Sequence, residues 1–237
     1  MIRARLSATP QGTADDAAAW VAARAVAAIE RTGRFVWAVS GGSTPALFLD
    51  ALATHDRVDW GAVHLFQVDE RIAPDGSPDR NDTMIRERFV DRVPTVRYHP
   101  MPVDADDLGS ALIDHLTDLE RLCGSPARLD VIQLGLGDDG HTASLVPGDA
   151  VLDSADDLAV TAIYKGTRRV TMTAALLNRA AERLFLVTGA GKDDALGRLA
   201  EGDPGIPGSL ITADRTFLAT DRRIRGFSYD EREGAGY

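Results

Sequence analysis

Four times along this chain a short apolar run rich in Val, Ile, Leu and Phe stops abruptly at a polar cluster: Ser40-Gly41-Gly42-Ser43-Thr44-Pro45, Asp69-Glu70-Arg71, Gly135-Leu136-Gly137-Asp138-Asp139-Gly140-His141-Thr142 and Gly189-Ala190-Gly191-Lys192. Segments of helical period separate these runs. Continuous apolar runs that alternate with helices are strands buried on both faces, the pattern of βαβ units on a mostly parallel sheet flanked by helices. In such an open α/β sheet, ligands bind beyond the carboxyl ends of the strands. The clusters are therefore expected to converge on one site.

The reading places strands at 35–39, 63–68, 129–134, 159–163, 183–188 and 216–219, and helices at 14–31, 45–53, 81–92, 106–123, 174–181 and 192–200. Thr13 and Asp106 are expected to cap their helices. Segments 71–80 and 201–208, each with two prolines, read as loops. The glycine-containing, charged tail 230–237 is expected to fray. With 237 residues and neither a long linker nor an internal repeat, the chain is expected to form a single α/β domain, residues 1–237.

The charge balance narrows the partners. Asp and Glu number 36 against 26 Lys and Arg, a formal −10 spread along the whole chain, which argues against a nucleic-acid surface. No run approaches the roughly 20 apolar residues of a membrane span, and the N-terminus lacks a signal peptide's apolar region. A cytoplasmic protein with neither membrane nor nucleic-acid partner is expected. Cys123 is the only cysteine, which leaves no internal disulfide and no cysteine-based zinc cage, and it reads as a small apolar packing residue.

Each cluster has a chemical reading and a structural one. Ser40–Pro45 is suited to cradle a phosphate, through close backbone approach at Gly41 and Gly42 and the hydroxyls of Ser43 and Thr44; it equally suits an ordinary strand-to-helix turn. It lacks the GxxxxGK[ST] spacing of a nucleotide P-loop. Gly135-x-Gly137-x-x-Gly140 matches the dinucleotide fingerprint in form, yet Asp138 and Asp139 stand where a pyrophosphate would lie, so no nicotinamide cofactor is expected. Glycines there instead shape a tight loop presenting Asp139 and His141, either as a carboxylate beside an imidazole suited to general-base work or as a buried, hydrogen-bonded histidine. The period of a strand points Asp69 and Arg71 the same way, either as a structural ion pair or as an acceptor and a cation for a polar substrate. Lys192 at a helix start opposes the helix dipole, a conflict that a bound phosphate would relieve, and Arg168 and Arg169 add further cations. HExxH, clustered metal-ligand spacing and GxSxG are all absent, so no metal is required.

Taken together, SGGSTP at 40–45, VDER at 68–71, LGLGDDGHTASLVPG at 134–148, RRVTMT at 168–173 and VTGAGK at 187–192 resemble, in order and approximate spacing, the 6-phosphogluconolactonase family of the oxidative pentose phosphate pathway. The resemblance spans nearly the whole chain. It implies a Rossmann-like sheet akin to that of sugar-phosphate isomerases, and hydrolysis of 6-phospho-D-glucono-1,5-lactone to 6-phospho-D-gluconate without a cofactor. It implies that His141 takes a proton from the attacking water while Asp139 or a backbone group orients its ring. Arg71, with Lys192, would stabilise the oxyanion or bind substrate beside Asp69. Gly41, Gly42, Ser43 and Thr44 would bind sugar or phosphate, and Arg169 the phosphate. The chain departs from the family before residue 168, where Tyr164-Lys165-Gly166-Thr167 replaces a proline-rich segment containing lysine. Partners are then a small sugar-phosphate lactone and, for assembly, a monomer or small homo-oligomer.

Two other readings compete. A glucosamine-6-phosphate deaminase shares the sheet and the DGH loop, but Val146 stands here in place of the glutamate that partners its histidine, and Arg71 in place of a tyrosine. A non-catalytic sugar-phosphate sensor would carry a DNA-binding helix-turn-helix, and the first expected core strand already begins at Phe35.

Overall fold

The computed structural model describes residues 1–230. In chain order its elements are β1 (Arg3–Leu6), α1 (Pro10–Thr32), β2 (Phe35–Val39), α2 (Ser43–Leu52), β3 (Val63–Gln67), β4 (Asp69–Arg71), α3 (Asn81–Ile85), β5 (Arg97–His99), α4 (Leu108–Cys123), β6 (Val131–Leu134), β7 (Leu158–Val160), β8 (Arg169–Met172), α5 (Ala174–Arg179), β9 (Glu182–Val187), α6 (Asp193–Glu201), β10 (Thr216–Thr220) and β11 (Ser228–Tyr229). The tail expected to fray lies, beyond Asp230, outside the described residues.

Eight strands form one sheet in the order β11-β1-β10-β9-β6-β2-β3-β5, and every pairing in it is parallel. Alternation within a strand sends successive residues to opposite faces. Phe35, Trp37 and Val39 of β2 accordingly pack under α1 and α2 with Val63 and Leu65, while Val36 and Ala38 join Phe66, Ile132 and Leu134 in a second core on the other face. Helices cover both faces, which explains why the strands read as unbroken apolar runs. Trp37 meets Phe48 of α2 edge-on at 6.1 Å, tying that helix to the sheet.

The longest helix shows how local sequence sets its own limits. Thr9 caps α1 by accepting from the Gly12 amide at 3.1 Å, and Pro10 occupies its first turn. Gly33, with φ at 77°, ends the helix and returns its N–H to the Ile29 carbonyl. Between them Ala14, Ala17, Ala18, Val21, Ala25 and Ala28 form the buried stripe of a 3.6-residue period.

Several expectations are corrected. The caps are Thr9 and Asp107 rather than Thr13 and Asp106, because each helix starts where a side-chain oxygen reaches an amide two or three residues on. The expected helix 81–92 is α3 followed by a π turn at Arg86–Val90. Pro45 lies at the third position of α2, still within the first turn where its missing N–H costs no helical bond. The strand expected at 159–163 does not join the main sheet. It is β7, and with β8 and β4 it makes a separate three-stranded antiparallel sheet. Among the described residues no helix is long and apolar enough to cross a membrane.

Candidate active site

The polar clusters meet. A cleft of about 220 Å³ opens at the carboxyl ends of β2, β3, β6 and β9, lined by Ser40 to Pro45, Asp69, Arg71, Asn81, Gly135 to Gly137, His141, Arg169, Thr188 and Lys192 among others. Of the residues singled out in the sequence, His141, Arg71, Asp69, Gly41, Gly42, Ser43, Thr44, Arg169 and Lys192 all lie on its wall. Asp139 sits behind His141, and the exposed Arg168 turns its guanidinium instead to the Thr161 carbonyl.

At the end of β2 the chain turns into α2 through Gly41 and Gly42, with no side chain capping the helix. Its first amides therefore open onto the cleft, which suits an anion. Gly41 is required by close packing, since a Cβ there would lie 1.9 Å from the Asn81 side-chain oxygen. The Ser40 hydroxyl is already spent on the Gln133 carbonyl at 3.2 Å, and Thr44 shares a hydroxyl bond of 2.8 Å with Thr188.

β4 is built entirely of charged residues and stays in place because each side chain finds partners. Glu70, fully buried, accepts from the backbone amides of Arg71, Asn81 and Asp82 at 2.7 to 2.8 Å and from the Gln67 side chain at 2.8 Å. One carboxylate thus folds the loop 72–80 back onto the sheet and starts α3. With Glu70 pointing away, Asp69 and Arg71 share the cleft side, as strand alternation requires. Asp69 accepts from the Ser144 hydroxyl at 2.5 Å, and Arg71 donates to the Asp79 carbonyl and to the Asn81 side-chain oxygen. Among the described residues no ion pair joins Asp69 to Arg71, which removes the structural alternative.

The loop after β6 carries the titratable pair. His141 Nδ1 lies 2.5 Å from Asp139 Oδ1, and the Tyr164 hydroxyl donates to Asp139 Oδ2 at 2.9 Å. Burial pushes the Asp139 carboxyl up, but the bonds from the His141 ring and amide and from Tyr164 outweigh it and hold the group at about 2. Asp139 is therefore a carboxylate at any working pH, and it selects the His141 tautomer protonated at Nδ1. The lone pair then resides on Nε2. Gly137 lets the imidazole lie against the loop backbone, because a Cβ there would sit 2.0 Å from His141 Nδ1.

Two cations complete the wall in different states. Arg169 is largely buried, its Nε has no hydrogen-bond partner among the described residues, and burial lowers its affinity for a proton while Asp69 opposes that effect. A buried guanidinium with unspent donors fits an anionic group. Lys192 instead pairs with Asp138 at 2.5 Å, and Asp193 and Asp194 begin α6. Acidic neighbours thus already relieve the helix-dipole conflict that suggested a phosphate there. Among the described residues no group of His, Cys, Asp and Glu is arranged to hold a metal.

Sequence reasoning missed Glu70, Ser144, Tyr164 and the Asp138–Lys192 pair, and marked Asn81 only as a helix start and as the position where the resembled family commonly has a Ser-Asn pair, without a role in the site. For Glu70 the signal was present, since the alternation that pairs Asp69 with Arg71 sends the residue between them into the protein. For Tyr164 there was none: it reaches Asp139 across 25 residues through the small sheet.

Known proteins resemble this chain along most of its length. A family described as glucosamine-6-phosphate isomerases/6-phosphogluconolactonase matches residues 8–219. The chain is 38% identical over 192 residues to a 6-phosphogluconolactonase of Synechocystis sp., covering 78% of this chain and 80% of that one. It is 34% identical over 206 residues to a 6-phosphogluconolactonase of Rhizobium meliloti, with 83% and 85% covered. A solved 6-phosphogluconolactonase from Shewanella baltica superposes with a TM-score of 0.82 at 22% identity over 97% of this chain and 98% of that one. A monomeric glucosamine-6-phosphate deaminase superposes at 0.78 with 17% identity, covering 95% and 98%. At these identities the two superpositions speak for the fold.

Proposed function

The chain belongs to the glucosamine-6-phosphate isomerase/6-phosphogluconolactonase family, and on that premise we propose that it hydrolyses 6-phospho-D-glucono-1,5-lactone to 6-phospho-D-gluconate. The observation that carries this reading is the His141–Asp139 contact of 2.5 Å at the wall of a cleft that also exposes Arg169 and the start of α2. With Nδ1 engaged, Nε2 is the base. Water attacks the lactone carbonyl carbon as its proton passes to Nε2, and the carbonyl electrons move to oxygen. Arg71 and Lys192 face that oxyanion. The tetrahedral species then re-forms its carbonyl, breaks the bond to the ring oxygen, and returns the proton from His141 to that oxygen. Asp69, fixed by Ser144, accepts from a sugar hydroxyl. Arg169, with Ser43, Thr44 and the Gly41–Gly42 backbone, takes the phosphate.

The lactone also opens in water unaided, so each tenfold of acceleration needs only about 1.4 kcal/mol. A base and positioned donors suffice. Val146, buried beside the loop, offers His141 no carboxylate, which disfavours the ring-opening chemistry of the deaminases. The cleft draws on residues from 40 to 192, and we take 1–237 as one catalytic domain, a monomer or small homo-oligomer of the cytoplasm serving the oxidative pentose phosphate pathway.

The test compares the phosphorylated lactone with glucono-1,5-lactone, each corrected for spontaneous opening. A phosphate-directed site favours the former by about 100-fold or more in kcat/KM, since charge-assisted bonds to the phosphate contribute in the transition state. Equal rates for both would overturn the assignment of Arg169 and α2.

A further inference from the structure

We infer that Tyr164 is a positioning residue for the reaction, holding the Asp139 carboxylate in the orientation that fixes the His141 ring. The inference rests on His141 being the base. Tyr164 does not line the cleft; it stands behind the pair. Its hydroxyl donates to Asp139 Oδ2 at 2.9 Å, while Oδ1 takes the His141 ring nitrogen at 2.5 Å and the His141 amide at 3.2 Å. Both carboxylate oxygens are therefore engaged on opposite sides. The tyrosine ring also meets the imidazole edge-on, with centroids 5.6 Å apart and planes at 65°. Hydroxyl and ring together hold carboxylate and imidazole as one unit.

Without that second bond the carboxylate would be free to rotate. The Asp139 side chain is 39% exposed, and water would compete for Oδ2 and let Oδ1 turn away from Nδ1. Local backbone geometry keeps Tyr164 from moving with it. Its amide donates to the Thr167 carbonyl at 2.9 Å, and its carbonyl accepts from the Thr167 amide at 3.3 Å. Lys165 and Gly166, with φ of 49° and 88°, make the tight reversal between them. The turn is anchored by the β7–β8 ladder beyond it.

A second contact separates this role from substrate binding. The Arg169 guanidinium lies 5.2 Å from the Tyr164 ring centroid, so the ring supports the cation assigned to the phosphate while the hydroxyl serves Asp139. Tyr164→Phe removes only the hydroxyl. Expected is a fall in kcat of about tenfold, as for loss of a hydrogen bond to a charged group, with KM within about twofold because Arg169 keeps its support. If Tyr164 acts through Asp139, the Tyr164→Phe/Asp139→Asn double variant loses no more activity than Asp139→Asn alone. Additive losses, a change confined to KM, or wild-type kcat in Tyr164→Phe would each overturn the inference.

A spectroscopic readout decides the matter without turnover. The proton on His141 Nδ1, bonded to Asp139, is followed by NMR in the wild type and in Tyr164→Phe. Exchange with water about tenfold faster in the variant is expected, since a freed carboxylate releases the proton more often. An unchanged exchange rate refutes the positioning role. Should the wild type fail to open the lactone above its spontaneous rate, the proposed function fails, and the exchange measurement still decides whether Tyr164 holds the pair.

Discussion

A single methyl group tests whether the His141–Asp139 arrangement is what makes the cleft reactive. In Gly137→Ala the new Cβ would lie 2.0 Å from His141 Nδ1, 2.2 Å from Cε1 and 2.7 Å from Asp139 Oδ1. Ordinary contact begins near 3.4 Å, so the ring must retreat by about 1.4 Å, and misplacement on the order of 1 Å costs roughly 100-fold in rate. Retreat along the contact also stretches the bond from Nδ1 to the carboxylate from 2.5 Å to about 3.2 Å, the far edge of hydrogen-bonding range. The backbone at Gly137 is not left-handed, so alanine adds no strain of its own and the loss falls on the site rather than on the fold. The assay is acid release from the phosphorylated lactone in weak buffer, corrected for spontaneous opening, beside a thermal melt. Expected is a fall in kcat/KM of about 100-fold with a melting point within a few degrees of wild type, the site carrying the cost. Activity within about threefold of wild type in a folded variant would show that the imidazole position does not control the rate.

Other consequences concern the scaffold. Glu70→Gln replaces one acceptor oxygen with an amide that faces backbone N–H donors, and should lower stability by about 3 kcal/mol in a urea titration, as for a broken buried charge network. An unchanged midpoint would mean that the carboxylate does not hold the loop 72–80. Away from the cleft, burial holds His64 and His115 at about 4, with His99, Arg97 and Arg34 adding to the effect at His64 and His99 at His115, where Asp118 opposes it. The unfolded chain binds protons at these residues below their ordinary value of 6.5 while the native chain refuses them. Stability is therefore full above that value and is lost as the pH falls from it toward 4. His115→Leu should flatten that slope in melts recorded across the interval; a slope equal to wild type would exclude His115 as a contributor.

What could be read in the sequence and what could not divides along physical lines. β2, β3, β6, β9 and β10 were legible because a strand covered on both faces must be apolar throughout, and their register lies within two residues of expectation. The converging clusters at their ends followed from the topology of parallel sheets. β4 was legible only as the polar end of the strand before it and not as a strand of a second sheet, because its side chains are Asp, Glu and Arg, and only the tertiary partners of Glu70 make their burial tolerable. β1 was missed for a related reason: Arg3 and Arg5 alternate with Ala4 and Leu6 on an otherwise short segment. The small sheet of β4, β8 and β7 depends on the antiparallel pairing of β4 with β8, segments about 100 residues apart, which no local period encodes. Tyr164 belongs to the same class, since its partner is set by that sheet. Lys192 teaches the opposite lesson: the dipole argument was sound, but Asp138 satisfies it without a ligand.

The global charge of −10 gives an anionic substrate no long-range attraction, so binding and chemistry rest on the few groups facing the cleft. Among them His141 carries the central claim. The direct measurement is kcat/KM for the phosphorylated lactone in His141→Asn against wild type, each above the spontaneous rate. Removal of a general base predicts a fall of about 100- to 10,000-fold with the fold intact. Retention of nearly the full wild-type value would contradict the account.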